Sequence, residues 1–249
     1  MSRSIALLLV LVFLTASSLM TFKFVFAAST NSWASKTSMP QRKSSFGIAV
    51  MDGKIYAIGG CIRDYVSSWT EGFSGTIETV NTNYEYDPAL DRWTIRSPMP
   101  TPRYSFATVV YEGSIYCIGG LQNVFRNGHS VEVSTGAVEV FNFSTNKWDT
   151  KTSMPTPRES FATIVYGDNI YCVGGGINEV YNIATDTWQT KAAMPFNGSI
   201  ITANVVNGKL YLTSDSLMYA YNPVINAGLL LLIHLTLMTV YRSYDPQIT

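Results

Sequence analysis

The chain has 249 residues, of which 47% are hydrophobic, 13% aromatic and only 14% charged, enough apolar material for a cored domain with rings packed between sheets. Seventeen basic residues balance seventeen acidic ones, so no long-range field selects a nucleic acid or an anionic membrane as partner. Three cysteines, an odd number, exclude a fully paired disulfide framework.

At the N-terminus Arg3 precedes an apolar run from Ile5 to Leu14, followed by Thr15-Ala16-Ser17-Ser18. Val25-Phe26-Ala27 then places small or β-branched residues where a signal peptidase reads them. Residues 1–27 are therefore expected to be a secretory signal, with a retained N-terminal anchor as the alternative. Lys23 interrupts the second apolar half and argues against a continuous span.

From residue 28 to 223 the chain repeats itself. Trp precedes the Pro of Met-Pro by seven residues at Trp33/Pro40, Trp93/Pro100, Trp148/Pro155 and Trp188/Pro195. That Pro precedes a strand tyrosine by sixteen, at Tyr56, Tyr116, Tyr171 and Tyr211, and Tyr86, Phe141 and Tyr181 each precede the next Trp by seven. Only the interval from the first Gly after the strand to the next aromatic varies, being 27, 22 and 7 residues from Gly59, Gly119 and Gly174. A fixed frame with one elastic segment predicts stacked units whose strands stay in register while one loop grows.

In chain order, Ser32 to Thr37 around Trp33 reads as a lone outer strand. Each repeat then predicts a β-hairpin, turning at Asp52-Gly53, Glu112-Gly113, Gly167-Asp168 and Asn207-Gly208. The pairs Gly59-Gly60, Gly119-Gly120 and Gly174-Gly175 end the second strand, and a third and a Trp-bearing fourth strand follow. Cys117 and Cys172 share a register slot with Ala57 and Leu212, which makes it a core slot holding free thiols.

The double Gly after Ile-Tyr, the Glu-x-Tyr-Asp/Asn strand, the Trp seven residues on and Met-Pro-x-Pro-Arg together resemble the kelch repeat family over roughly residues 32–223. That resemblance implies an all-β propeller of about four four-stranded antiparallel blades, as a closed ring or an incomplete one. The fourth copy departs from the pattern, with Gly198 for Arg, Ser214-Asp215 for the double Gly and Gly228 for Trp. Residues 224–249 read as a divergent apolar tail, the remnant of a further blade. Trp33, a fourth strand without a preceding three, and the copy at 199–223, three strands without a fourth, would complete one another.

His129 and His234 lie apart without ligand spacing, and no metal or other cofactor is expected. Galactose oxidase-like copper enzymes share the kelch propeller, but the chain offers no set of two His and two Tyr. No Gly-x-Ser-x-Gly or Cys/His pair indicates catalysis, and Lys43, Arg103 and Arg158 recur in register as structural cations. The elastic segments remain. Residues 61–78 carry Tyr65, Trp69 and Phe73, and residues 121–135 carry Phe125, Arg126 and His129. Aromatic and Arg side chains on loops held by rigid sheets are contact chemistry; the alternative is that the loops bury their own rings. Asn142 and Asn197 head N-glycosylation triplets. The sequence thus predicts an exported, non-enzymatic module that binds a protein or glycan, secreted or held to the membrane only by its N-terminal segment. The alternatives are a carbohydrate-active propeller resembling sialic acid epimerases, or a fragment without independent function.

Overall fold

The two-residue turns fix the inner strands. Asp52-Gly53, Glu112-Gly113 and Asn207-Gly208 all have positive φ at both residues, which gives the hairpin the right-handed twist its strands need. The computed structural model describes residues 32–68, 72–126, 128–195, 202–214 and 217–231, with backbone alone at 64–68, 72–76, 217 and 228–231.

In chain order, β1 (Gly47–Met51) and β2 (Lys54–Ile58) form an inner hairpin, β3 (Cys61–Ser68) and β4 (Gly72–Thr79) a separate one, and β5 (Asn83–Asp87) and β6 (Arg92–Arg96) return to the first sheet. Blade 2 repeats this with β7 (Ala107–Tyr111), β8 (Ser114–Ile118), a second separate hairpin β9 (Leu121–Arg126) and β10 (His129–Ser134), then β11 (Val138–Asn142) and β12 (Lys147–Lys151). Blade 3 has no extra hairpin and runs β13 (Ala162–Tyr166), β14 (Asn169–Gly174), β15 (Ile177–Asn182) and β16 (Thr187–Thr190). Blade 4 consists of β17 (Thr202–Val206), β18 (Lys209–Ser214), β19 (Leu217–Asn222) and β20 (Ala227–Leu231). The four sheets are antiparallel blades of a β-propeller, as the repeat predicts.

Neighbouring blades join through three apolar layers. Tyr56 and Ile58 meet Ile115, Cys117 and Phe141; Tyr116 and Ile118 meet Ile170, Cys172 and Tyr181; Tyr171 and Val173 meet Leu210, Leu212 and Tyr221. One methionine from each connecting segment, Met99, Met154 or Met194, plugs each layer. Cys61, Cys117 and Cys172 are buried free thiols, and burial pushes the Cys117 thiol up to about 12.

Two expectations are corrected. Residues 32–39 form no strand, and Trp33 is fully exposed at 103%. The Thr37 amide and carbonyl are engaged instead by Asp91 Oδ1 at 2.9 Å and by the Trp93 indole at 2.9 Å. Blade 4 has its own fourth strand, β20, drawn from the segment that reads as a divergent tail, so no borrowed strand is required. Its apolar run satisfies the β19 edge by backbone pairing, which does not depend on Trp or Met-Pro.

Candidate functional site

Sequence reasoning treats the elastic segments as loops, but they are hairpins. The apolar-polar alternation of Val131-Glu132-Val133 and of Ile77-Glu78 is the signal that would have revealed them. In β3–β4 the register runs from Cys61↔Thr79 to Ser68↔Gly72, and in β9–β10 from Leu121↔Ser134 to Arg126↔His129.

Their roots are held tightly by the blades. Ser44 and Cys61 exchange backbone hydrogen bonds of 2.8 and 2.9 Å, and Tyr104 and Leu121 exchange bonds of 2.8 and 3.0 Å. The chain enters the second hairpin through Gly119 and Gly120, both at positive φ, where a Cβ on Gly119 would stand 2.6 Å from the Arg158 carbonyl. The Gly120 amide in turn donates to that same carbonyl at 3.0 Å. A side chain at Gly119 would therefore break the approach that aims β9 away from the blade.

The two hairpins also meet each other. Asn123 Nδ2 donates to the Ile77 carbonyl, and Ser130 Oγ bonds Asn123 Oδ1. The Tyr104 hydroxyl donates to Glu132, with the Arg63 guanidinium 5.8 Å from the Tyr104 ring. Burial, then the Glu132 hydrogen bond, raises the Tyr104 phenol well above its ordinary value. Ser134 Oγ donates to Glu159 at 2.7 Å.

At the tip of the second hairpin Phe125 is 78% exposed, beside exposed Arg126, His129, Ser130 and Val131. Arg126 and His129 face each other across the strand pair. The three candidates Phe125, Arg126 and His129 are thus brought to one tip, and their side chains do not fold down onto the blade. Tyr65 and Phe73 lie on β3 and β4, of which only the backbone is described there. Trp69 and Asn197 lie outside the described residues. Asn142 Oδ1 accepts from the Thr145 amide at 3.0 Å, so the side chain closes the turn after β11.

Beneath the hairpins, Arg103 and Arg158 are buried in register. Each donates to a buried carboxylate, Glu139 or Glu179, and to a strand carbonyl, Cys117 or Cys172, at 2.9 Å. These cations are structural, joining the segment between blades to the third strand of the following one. Among the described residues no cluster of three or more His, Cys, Asp or Glu could hold a metal ion, and no helix is long and apolar enough to cross a membrane.

The family model described as the KLHDC2/KLHL20/DRC7 Kelch-repeats domain matches residues 16–175. The chain belongs to the kelch repeat family. Among curated proteins this kelch chain is 32% identical over 149 residues to Kelch-like protein terF of Aspergillus terreus, across 59% of its own length and 30% of that protein. It is 28% identical over 137 residues to human Kelch repeat and BTB domain-containing protein 12, and 27% identical over 143 residues to Beta-scruin of Limulus polyphemus. These two alignments cover 53% and 57% of the kelch chain but only 21% and 14% of the relatives, so the shared part is a minor share of each. A solved structure titled "Structure of YjhT" superposes with a TM-score of 0.60 at 15% identity, over 79% of this chain and 67% of that one, and shares the fold.

Proposed function

We propose that this kelch propeller is an exported, non-enzymatic binding module that grips a protein or glycan with the tips of its two hairpins. The observation that carries the reading is the solvent-facing Phe125, Arg126 and His129 on a hairpin whose root is locked to two blades. An exposed ring beside a guanidinium, on a rigid support, is the composition of interface anchors. A carbohydrate-active reading has no comparable support, since the buried Arg–Glu pairs are spent on holding the fold.

Export rests on Arg3, the apolar run Ile5 to Leu14 and Val25-Phe26-Ala27. Mass spectrometry of the mature protein should find an N-terminus near Ala28; intact residues 1–27 on soluble intracellular protein would refute export.

Binding is tested on panels of purified extracellular proteins and glycans, with Phe125→Ala and Arg126→Ala measured beside Val224→Ala, which removes an equally exposed side chain elsewhere. The tip variants should lose about 2 kcal/mol of affinity for the retained ligand with unchanged melting temperatures. Trp69→Ala belongs in the same series. Equal retention by all four proteins would remove the hairpin tips as the site.

A further inference from the structure

The junction between blades 3 and 4 is built like the other two, but its ring is missing. In blades 1 to 3 the third strand places Tyr86, Phe141 or Tyr181 directly opposite a tryptophan, Trp93, Trp148 or Trp188. The paired rings lie 5.0 to 5.2 Å apart. Each indole N–H donates to a carbonyl of the preceding connecting segment, Thr37, Ser97 or Thr152, at 2.8 to 2.9 Å. In blade 4 the same register sets Tyr221 opposite Gly228.

Everything around that glycine is retained. Asn226 has the positive φ of Asp91, Asn146 and Asp186. It accepts from the Tyr221 hydroxyl at 2.7 Å, as Asp186 accepts from Tyr181 at 2.6 Å. It also takes the Ala192 amide at 3.0 Å, as Asn146 takes that of Ser97 at 3.1 Å. The Ser97 carbonyl accepts twice, from Asn83 Nδ2 at 3.3 Å and from the Trp148 indole. The Ala192 carbonyl in the same place accepts from Asn178 Nδ2 at 3.3 Å, and among the described residues nothing takes the second position.

On the face of blade 3 that looks toward blade 4 there is a cleft of about 520 Å³, lined by Tyr171, Val180, Asn182, Thr187, Gln189 and Lys191 among others. These residues correspond in register to the surface of blade 2 that packs beneath Trp188. The cleft has an apolar floor and a rim of amides and hydroxyls, a composition suited to a flat ring with one polar edge.

We infer that the cleft between blades 3 and 4 is a receptor slot for a tryptophan side chain of a partner protein, whose indole takes the place that Gly228 leaves empty and donates its N–H to the Ala192 carbonyl. The three filled junctions define the chemistry: a Phe ring would fill the space but leave that carbonyl with one bond, and a bulkier aliphatic chain would do the same. This inference is independent of the hairpin reading, because the slot lies between blades and uses none of the hairpin residues.

The test is isothermal titration of the full chain with N-acetyl-tryptophanamide and with a short Gly/Ser peptide carrying one central Trp, alongside the same peptide with Phe. Saturable binding is expected for the Trp probes at about millimolar strength or better. The Phe peptide should bind several-fold more weakly, and Gly228→Trp should abolish binding while melting at or above the parent temperature. The Trp peptide exceeding the small amide identifies a side chain presented by a chain as the preferred occupant. Absence of saturation, equal binding of the Phe peptide, unchanged binding to Gly228→Trp, or a variant that melts below the parent would each overturn the inference.

Discussion

The buried charges show how the repeats tolerate change. Arg103 pairs with Glu139 and Arg158 with Glu179, and removing one partner of such a pair costs about 3–5 kcal/mol because the other is left uncompensated. The two departures from the pattern therefore change both members together: blade 4 has Gly198 and Tyr219, and blade 1 has Lys43 and Tyr84. Lys43 lies 4.7 Å from the Tyr84 ring and donates to the Ala57 and Thr82 carbonyls at 3.0 and 3.3 Å. Burial lowers its pKa from 10.5 to about 8. Because the folded value lies below the unfolded one, the unfolded chain binds more protons between pH 8 and 10.5, and the lysine's cost to stability is relieved as pH rises through that window. Denaturant titrations of the parent and of Lys43→Met should run parallel below pH 8, then shift in favour of the parent up to about pH 10.5. A difference that stays constant across the window would show that Lys43 is solvated and has its ordinary pKa.

At the scale of elements, the glycines separate the frame from the inserts. Gly119 has φ of 67° and backbone 2.6 Å from where its Cβ would be, whereas Gly128, at the hairpin tip with φ of 82°, has nothing within 4 Å. Gly119→Val should cost on the order of a few kcal/mol, and Gly128→Val only the strain of a positive φ, roughly 1–3 kcal/mol. Thermal melts of the two variants decide it, and equal midpoints would mean that the root of the hairpin is not locked. The strands themselves were legible because the turn dipeptides and the Trp-to-Pro and Pro-to-Tyr spacings are local signals. The hairpins β3–β4 and β9–β10 were not, since their pairing is written in short alternations such as Val131-Glu132-Val133 that a long variable segment disguises. The strand expected around Trp33 failed for a tertiary reason: the backbone of Thr37 serves Asp91 and Trp93. Likewise β20 pairs through its backbone, which a missing Trp at Gly228 does not prevent. Of the candidate site, the residue types Phe125, Arg126 and His129 could be read directly. Their convergence on one tip depends on the Arg126↔His129 register, and the bridge from Asn123 to Ile77 on packing between hairpins of different blades.

At the scale of the molecule, the account divides labour between a repeated frame and what grows from it. Each blade buries a tyrosine layer against its neighbour, so the core is three similar junctions in series and does not run through the hairpins. Blade 3 displays the frame alone, with Gly174-Gly175-Gly176 joining β14 directly to β15. Deleting residues 121–135 from blade 2 leaves Gly119-Gly120-Gly136 in the same register, the blade 3 connection recreated in its neighbour. Thermal unfolding and ligand retention of this deletion variant, measured side by side with the parent, address the central claim that the blades fold the chain and the hairpins bind. The account predicts one cooperative transition within a few degrees of the parent's, as expected for losses of about 1 kcal/mol, together with loss of the ligand retained through Phe125 and Arg126. A collapse of the cooperative transition, or undiminished retention of that ligand, would contradict it.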